Sequence, residues 1–143
     1  MKKLALAADH AGWELKNELI KYLSEKGFEC TDLGTNSPDS VHYPDYANAL
    51  CEKILCKDCD AGILVCGTGI GMSMAANRHK GIRAAVCTES ECVTLCRQHN
   101  DANVLCLGAR IIGTDKAKEL CDIFTGTEFL GGRHAIRVEM LDK

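Results

Sequence analysis

The chain alternates between short apolar segments and longer amphipathic segments from one end to the other. Apolar runs cover residues 3–8, 61–65, 82–86 and 103–107, and residues 28–33 alternate between apolar and polar positions. A short, unbroken apolar run bounded by turn residues is typical of a strand that is buried on both faces. The pattern therefore predicts five strands, the second of which has one exposed face.

Each predicted strand is followed by a segment that can form a helix. After the first strand, Leu15 and Leu19 recur at helical spacing, and Gly27 ends that helix. Pro44 suits the first turn of a second helix near residues 46–55. A regular succession of strand and helix is the pattern of a parallel sheet with helices on both of its faces.

We therefore expect an α/β fold with a single domain over residues 1–143. Its architecture would be a three-layer α/β/α sandwich with a five-stranded parallel sheet of Rossmann-like type. Residues 131–141 predict one additional, C-terminal helix. A domain of this length buries about two-thirds of its unfolded surface. In such sheets ligands bind at the carboxyl ends of the strands, so the residues that follow strands are the first candidates for chemistry.

The segment from Cys66 to Gly71 has the most distinctive composition of the chain. Cys66 ends the third strand, and Gly67, Gly69 and Gly71 allow a tight turn that exposes backbone N–H groups. The helix predicted from Met72 adds a partial positive charge, which favours bound anions and the ionised form of a nearby thiol. The segment therefore predicts a base beside a cradle for an oxyanion. A buried, inert cysteine in a tightly packed turn is the plainer alternative.

This turn does not match the usual nucleotide signatures. The dinucleotide pattern requires glycine at the position of Met72, and the P-loop pattern requires Gly-Lys followed by Ser or Thr. A non-catalytic phosphate-binding or nucleotide-binding module remains an alternative that rests on the glycine turn alone.

Other polar residues also follow strands or lie near helix ends. Asp9 and His10 follow the first strand, and Arg110 lies just past the fifth. Asp9 can also cap the next helix. His99 lies at the end of the fourth helix, where a capping or surface role is equally compatible with the sequence.

The C-terminal helix gathers positive charge. Arg133 and Arg137 are four residues apart and lie on one face, with His134 between them. Because guanidinium groups bind phosphate oxygens well, this face predicts a phosphate clamp. A solvated helix face is the alternative reading of the same spacing.

Composition excludes several classes of protein. A net charge of -3 argues against broad binding to nucleic acids or membranes. The apolar run near the N-terminus is too short for a signal peptide or a membrane span, so we expect a cytoplasmic protein. Ten cysteines raise the alternative of a thiol-redox or zinc protein. However, Cys56 and Cys59, which have the spacing of such motifs, precede a strand and lack further ligands, so we expect no metal site.

Taken together, these motifs resemble ribose-5-phosphate isomerase type B. The resemblance spans nearly the whole chain, and its motifs are numerous and ordered. They are residues 8–12 (ADHAG), 32–35 (DLGT), 43–47 (YPDYA), 66–71 (CGTGIG), 81–84 (GIRA), 97–101 (RQHND), 103–105 (NVL) and 131–134 (GGRH), with Arg137.

The resemblance implies an enzyme of the pentose phosphate pathway that interconverts ribose 5-phosphate and ribulose 5-phosphate through an enediolate, without a cofactor. It implies that Cys66 moves a proton between C2 and C1, with Thr68 close by. It also implies that His99 donates a proton in ring opening, assisted by Asp9. The implied substrate contacts are Asp9, His10, Tyr43, Gly67, Thr68, Gly69, Ile70, Gly71, Asn100, Arg110, Arg133 and Arg137.

Members of the resembled family assemble as dimers or tetramers with active sites between subunits, to which the neighbour contributes the residues around His99. The resemblance therefore implies a homodimer or homotetramer with a sugar phosphate as its small-molecule partner. Because the wider family includes isomerases of allose 6-phosphate and galactose 6-phosphate, a six-carbon substrate is the alternative.

Overall fold

The fold consists of five parallel strands and six helices, in a computed structural model that describes residues 1–143. The strands are β1 (Lys3–Ala8), β2 (Glu29–Asp32), β3 (Ala61–Cys66), β4 (Ala84–Val86) and β5 (Val104–Gly108). The helices are α1 (Trp13–Glu25), α2 (Tyr43–Leu55), α3 (Ile70–Ala76), α4 (Ser90–Asn100), α5 (Thr114–Gly126) and α6 (Arg133–Met140). The order of the sheet is β2-β1-β3-β5-β4, and all neighbours are parallel. The α/β fold with a five-stranded parallel sheet is confirmed.

Alternating side chains along β1 show why the sheet requires helices on both faces. Leu4 and Leu6 join a core cluster that includes residues of α1, α4 and α5, whereas Ala5 and Ala7 pack with residues of α2 and α3. All four side chains are fully buried. Because successive residues of a strand point to opposite faces, a strand with helices on both sides has no position left for a polar side chain.

The bounds of several elements differ from the sequence pattern, most clearly those of α2 and β4. Helix α2 begins at Tyr43 rather than near Tyr46, because the fixed backbone of Pro44 fits the first helical turn. Strand β4 is shorter than predicted and begins only at Ala84. Its first predicted residue, Ile82, donates its amide to the His79 carbonyl in a turn instead of joining the sheet. None of the helices is long and apolar enough to cross a membrane.

Gly12 allows α1 to begin directly against the end of β3. A Cβ atom at this position would lie 2.5 Å from the carbonyl oxygen of Val65. The same carbonyl accepts a hydrogen bond from the Asp9 amide at 3.2 Å. The close approach therefore fixes the turn after β1 beside the end of β3, where Cys66 lies.

Substitution of Gly12 tests this close approach. We expect Gly12→Ala to reduce the free energy of unfolding by about 1–3 kcal/mol, because the new methyl group meets backbone rather than a flexible side chain. The matched control is Gly113→Ala, at the start of α5, where no atom lies within 4 Å of the Cβ position. Urea unfolding measures both changes. Equal stability of the two variants would contradict the assigned contact.

Candidate active site

The carboxyl ends of β1, β3 and β5 meet at one edge of the sheet. The strand register pairs Ala8 with Val65 and Cys66 with Gly108. The residues that follow these strands, among them Asp9 and Arg110, therefore emerge next to one another. We call the residues at this edge the thiol group: Asp9, His10, Tyr43, the loop from Cys66 to Gly71, and Arg110.

The Cys66 thiol lies at the centre of this edge and reaches the surface over a small area, since the residue is only 6% exposed. Its Sγ accepts a hydrogen bond from the Gly69 amide at 3.1 Å. A donor of this kind stabilises a thiolate more than a neutral thiol. Cys66 lines none of four cavities of about 770, 370, 300 and 250 Å³ on the chain, although His10 lines the first of them. None of these four cavities therefore opens over the sulfur.

The loop after Cys66 begins α3 earlier than the sequence predicted, at Ile70 rather than Met72. The reason is local, since the Ile70 amide donates to Thr68 Oγ1 at 3.2 Å. Gly69, which precedes the helix, has a φ of +82°, in the left-handed region that favours glycine. Gly71 is consequently part of the first helical turn rather than of the loop.

Three backbone N–H groups of this segment have no acceptor in the chain. They belong to Gly67, Thr68 and Gly71, whereas the Gly69 and Ile70 amides already donate within the loop. N–H groups fixed beside a potential base can stabilise negative charge that develops on a substrate oxygen. The sequence implied a cradle built from every amide between Gly67 and Gly71. The geometry restricts the available donors to three.

Tyr43 and Arg110 flank the loop on two sides. A Cβ atom on Gly71 would lie 2.8 Å from the Tyr43 ring, so the ring packs directly on the first turn of α3. On the other side, the Arg110 amide donates to the Gly67 carbonyl at 3.0 Å. The Arg110 Nη1 lies 3.3 Å from the Cβ position of Gly67. Both side chains are exposed and can meet a ligand on the loop.

Asp9 and His10 are held in defined orientations. Asp9 Oδ1 accepts the amides of Ala11 and Gly12 at 2.9 and 3.1 Å and so closes the turn before α1, whose N-cap is Gly12 rather than Asp9, whereas its Oδ2 accepts no hydrogen bond from the chain. His10 Nδ1 accepts the Val41 amide at 3.2 Å. This contact assigns the proton of the neutral imidazole to Nε2, which is then a donor for an anion.

The remaining predicted residues form a second cluster, the basic group: His99, Asn100, Arg133, His134 and Arg137. Four of its members line a cavity of about 300 Å³ together with Val138 and Leu141. The rings of His99 and His134 stack with their centroids 4.2 Å apart and their planes 9° from parallel. Loss of solvation, followed by the charges of His99, Arg133 and Arg137, lowers the pKa of His134 below its ordinary value.

Pairing of the two histidines could not be read from the sequence. His99 ends α4 and His134 lies in α6, so the stack depends on how two distant helices pack. The sequence placed His134 only in a run of positive charge. Positive neighbours disfavour the protonated form of a histidine. A neutral histidine can still donate one hydrogen bond to an anion, and it adds no charge to the cluster.

The two groups lie at opposite edges of the sheet. Asp101, which follows α4, pairs with Arg83, and the Arg83 carbonyl accepts the amide of Asn103 just before β5. The basic group is therefore near the amino end of β5, whereas Cys66 pairs with Gly108 at its carboxyl end. Five residues of strand span about 16 Å. One small sugar phosphate cannot contact both groups of the same chain.

The chain has nine further cysteines besides Cys66. All ten are free thiols, and Cys56 is exposed whereas Cys59 is buried. The Cys59 thiol lies 3.9 Å from Thr31 Oγ1. No group of three or more His, Cys, Asp or Glu side chains is placed so that it could hold a metal ion.

Comparison with known proteins gives a consistent result over the whole chain. The model of the Ribose/Galactose Isomerase family matches residues 4–141. Ribose-5-phosphate isomerase B of Escherichia coli (strain K12) is 46% identical over 141 residues, which cover 99% of this chain and 95% of the relative. A putative sugar phosphate isomerase of Bacillus subtilis (strain 168) is 44% identical over 137 residues, covering 95% of this chain and 92% of the relative.

Solved structures agree with the sequence comparison. Ribose-5-phosphate isomerase B of Clostridium thermocellum superposes with a TM-score of 0.97 at 46% identity, covering 98% of this chain and 95% of that one. A ribose 5-phosphate isomerase of Thermotoga maritima gives a TM-score of 0.97 at 50% identity, covering 99% and 97%. The matches include both edges of the sheet, and with them both groups of polar residues. The chain belongs to the Ribose/Galactose Isomerase family.

Proposed function

We propose that this protein is an aldose-ketose isomerase that interconverts ribose 5-phosphate and ribulose 5-phosphate. One observation carries the proposal: the Cys66 sulfur, with its own N–H donor, adjoins three amides that have no acceptor. Aldose-ketose isomerisation requires one base that moves a proton between adjacent carbons and fixed donors where the negative charge develops. The relatives named ribose-5-phosphate isomerase B support this choice of substrate.

In the proposed mechanism, the Cys66 thiolate removes the proton from C2 of the open-chain aldose and returns it to C1. The intermediate is an enediolate, whose oxygen accepts hydrogen bonds from the amides of Gly67, Thr68 and Gly71. The hydroxyl proton on O2 passes to O1 before C1 is protonated, which leaves the carbonyl group at C2. His99 gives a proton to the ring oxygen as the sugar opens. Asp9 assists that step through its Oδ2 atom, which accepts no hydrogen bond from the chain.

The remaining residues bind the substrate. The His10 Nε2 proton and the guanidinium groups of Arg133 and Arg137 hold the phosphate, which is doubly charged near neutral pH. Tyr43, Asn100 and Arg110 contact the sugar hydroxyls. Phosphate contacts lie far from the reacting carbons, so their binding energy can orient the open chain over Cys66.

We further propose that each active site is shared between two subunits of a homodimer, alone or within a homotetramer. The thiol group and the basic group are too far apart in one chain, but a partner chain can bring its basic group to the thiol group. Apolar side chains near both groups are exposed and suit an interface: Ile70 and Val86 beside the loop, and Ile136, Met140 and Leu141 on and after α6. Helix α6 itself buries no residue in the chain.

A panel of phosphorylated aldoses tests the proposed substrate. We expect the highest kcat/KM with ribose 5-phosphate, because the relatives that are named for a substrate act on it. The family name also includes galactose, which supports galactose 6-phosphate as an alternative substrate. Allose 6-phosphate is the other six-carbon candidate in the panel. Equal or faster turnover of a six-carbon sugar phosphate would overturn ribose 5-phosphate as the substrate. Binding of adenine nucleotides without any isomerase activity would instead indicate a nucleotide-binding module.

Removal of the thiol tests the proposed base. We expect Cys66→Ala to lower kcat by at least about 100-fold, since a positioned general base typically contributes that much or more. Cys56→Ala is the matched control, because this thiol is exposed and belongs to neither group. Steady-state kinetics with ribose 5-phosphate measures both. Full turnover by the Cys66 variant would exclude the assigned role.

Subunit mixing tests the shared site. Cys66→Ala and His99→Ala are each expected to be inactive, whereas a mixed dimer has one site that carries both substitutions and one intact site. Random reassociation of equal amounts should restore about a quarter of the wild-type activity. The variants are unfolded and refolded together, and each variant refolded alone is the control. No recovery in dimers shown to be mixed would place the complete site within one chain.

A further inference from the structure

Lys16 is a charged residue with no exposed surface, whereas the other two buried charged residues, Asp9 and Arg97, each keep 8% exposed. It lies in the first turns of α1, among leucines that face the core. Its ammonium group donates to three side-chain oxygens: Asp32 Oδ1 at 2.6 Å, Asn17 Oδ1 at 2.8 Å and Asn36 Oδ1 at 2.9 Å. Every N–H of the ammonium group therefore has a partner, so Lys16 has no proton left for a ligand.

Two of these partners belong to the segment that leads from β2 to α2, residues 32–42. Asp32 also accepts the Gly34 amide at 2.9 Å and an N–H of Asn36 at 3.3 Å. Partial burial would raise the pKa of Asp32, but the bonds from Lys16 and from the Gly34 amide hold it below its ordinary value. The carboxylate is thus the anionic centre around which the segment folds, and Lys16 is its cation.

The same segment is joined to β1 immediately before the thiol group. The Ala8 amide donates to the Gly34 carbonyl at 2.7 Å, and the Thr35 amide donates to the Ala8 carbonyl at 2.8 Å. Beyond Asn36, the segment makes one further hydrogen bond to another part of the chain, from the Val41 amide to His10 Nδ1. That bond is the one that assigns the His10 proton to Nε2.

We propose that Lys16 is a positioning residue, whose ammonium group fixes residues 32–42 against α1 so that His10 and Tyr43 hold their orientations for a sugar phosphate. The inference rests on the proposed function for its kinetic consequence, because His10 is assigned there to the phosphate and Tyr43 to the sugar. Lys16 acts through other residues and contacts no substrate. Its buried charge is what makes the arrangement rigid, since the ammonium group has no other acceptors within reach.

Amide hydrogen exchange tests the positioning role without reference to activity. We expect exchange at the Val41 amide to become faster in Lys16→Met, because the segment loses its anchor and the bond to His10 opens more often. Asn36→Ala removes one of the three oxygen acceptors of Lys16, and because Asn36 is exposed the protein should stay folded. We expect exchange at the Val41 amide to become faster in this variant too, by a smaller factor. Lys26→Met is the matched control, since Lys26 follows the same helix and pairs with Asp122.

Kinetics then tests the link to the phosphate. We expect Lys16→Met to raise KM for ribose 5-phosphate and the inhibition constant of inorganic phosphate by about tenfold each, while kcat changes less than about threefold. The same substitution in a His10→Ala background should not raise the inhibition constant of inorganic phosphate further, because Lys16 acts on phosphate through His10. Lys26→Met should behave as the wild type.

The outcomes separate the two proposals. A wild-type protein without isomerase activity would overturn the proposed function, and exchange at Val41 would still decide the role of Lys16. Unchanged exchange at Val41 in both Lys16→Met and Asn36→Ala would overturn the inference in an active enzyme. The inference would also be overturned if the increases in the inhibition constant of phosphate caused by Lys16→Met and by His10→Ala multiplied in the double variant. A decrease in kcat with unchanged KM in Lys16→Met would overturn it as well.

Discussion

The left-handed conformation of Gly69 is the constraint on which the chemistry of the thiol group depends. With φ at +82°, its N–H turns back to the Cys66 sulfur, and the chain enters α3 one residue later. A Cβ atom at this position would lie 2.9 Å from Val86 and 3.0 Å from the Leu107 backbone. A side chain here would therefore push the loop away from β4 and β5. The same residue supplies the donor to sulfur and keeps the loop close to the sheet, so the hydrogen bond to Cys66 and the packing of the loop impose one requirement.

The separation of the thiol group from the basic group follows from the parallel sheet. In a strand-helix-strand unit the helix runs back against the strands, so a residue at the end of α4 lies at the amino edge of the sheet. A residue at the end of β3 lies at the carboxyl edge. No local adjustment can bring His99 to Cys66 within one chain. Association of two chains is the direct way for such a fold to bring the proposed base, Cys66, to the basic group.

The sequence allowed the five strands and their parallel arrangement to be predicted, because each depends on local patterns of apolar residues and glycine. The same patterns placed Asp9, His10, Cys66 and Arg110 after strands, whereas Tyr43 was named only through the resemblance. It did not reveal that β5 lies between β3 and β4, because strand order depends on contacts between distant segments. The sequence also could not show which amides of the loop lack an acceptor, because that depends on the hydrogen bonds that the Gly69 and Ile70 amides donate. Lys16 gave no signal, because a lysine among leucines reads as a solvent-facing position until the fold brings Asp32 and Asn36 around it.

Burial of the thiol has a consequence for how the proposed dimer would work. Cys66 is only 6% exposed in one chain, so water reaches the residue only over the side that remains open. When the basic group of a partner covers that side, the free amides and the sulfur are removed from water together, which strengthens each electrostatic interaction with an enediolate. The phosphate is then bound by residues of both chains. Its binding energy can therefore hold the open sugar in place only in the assembled protein, which links substrate positioning to association.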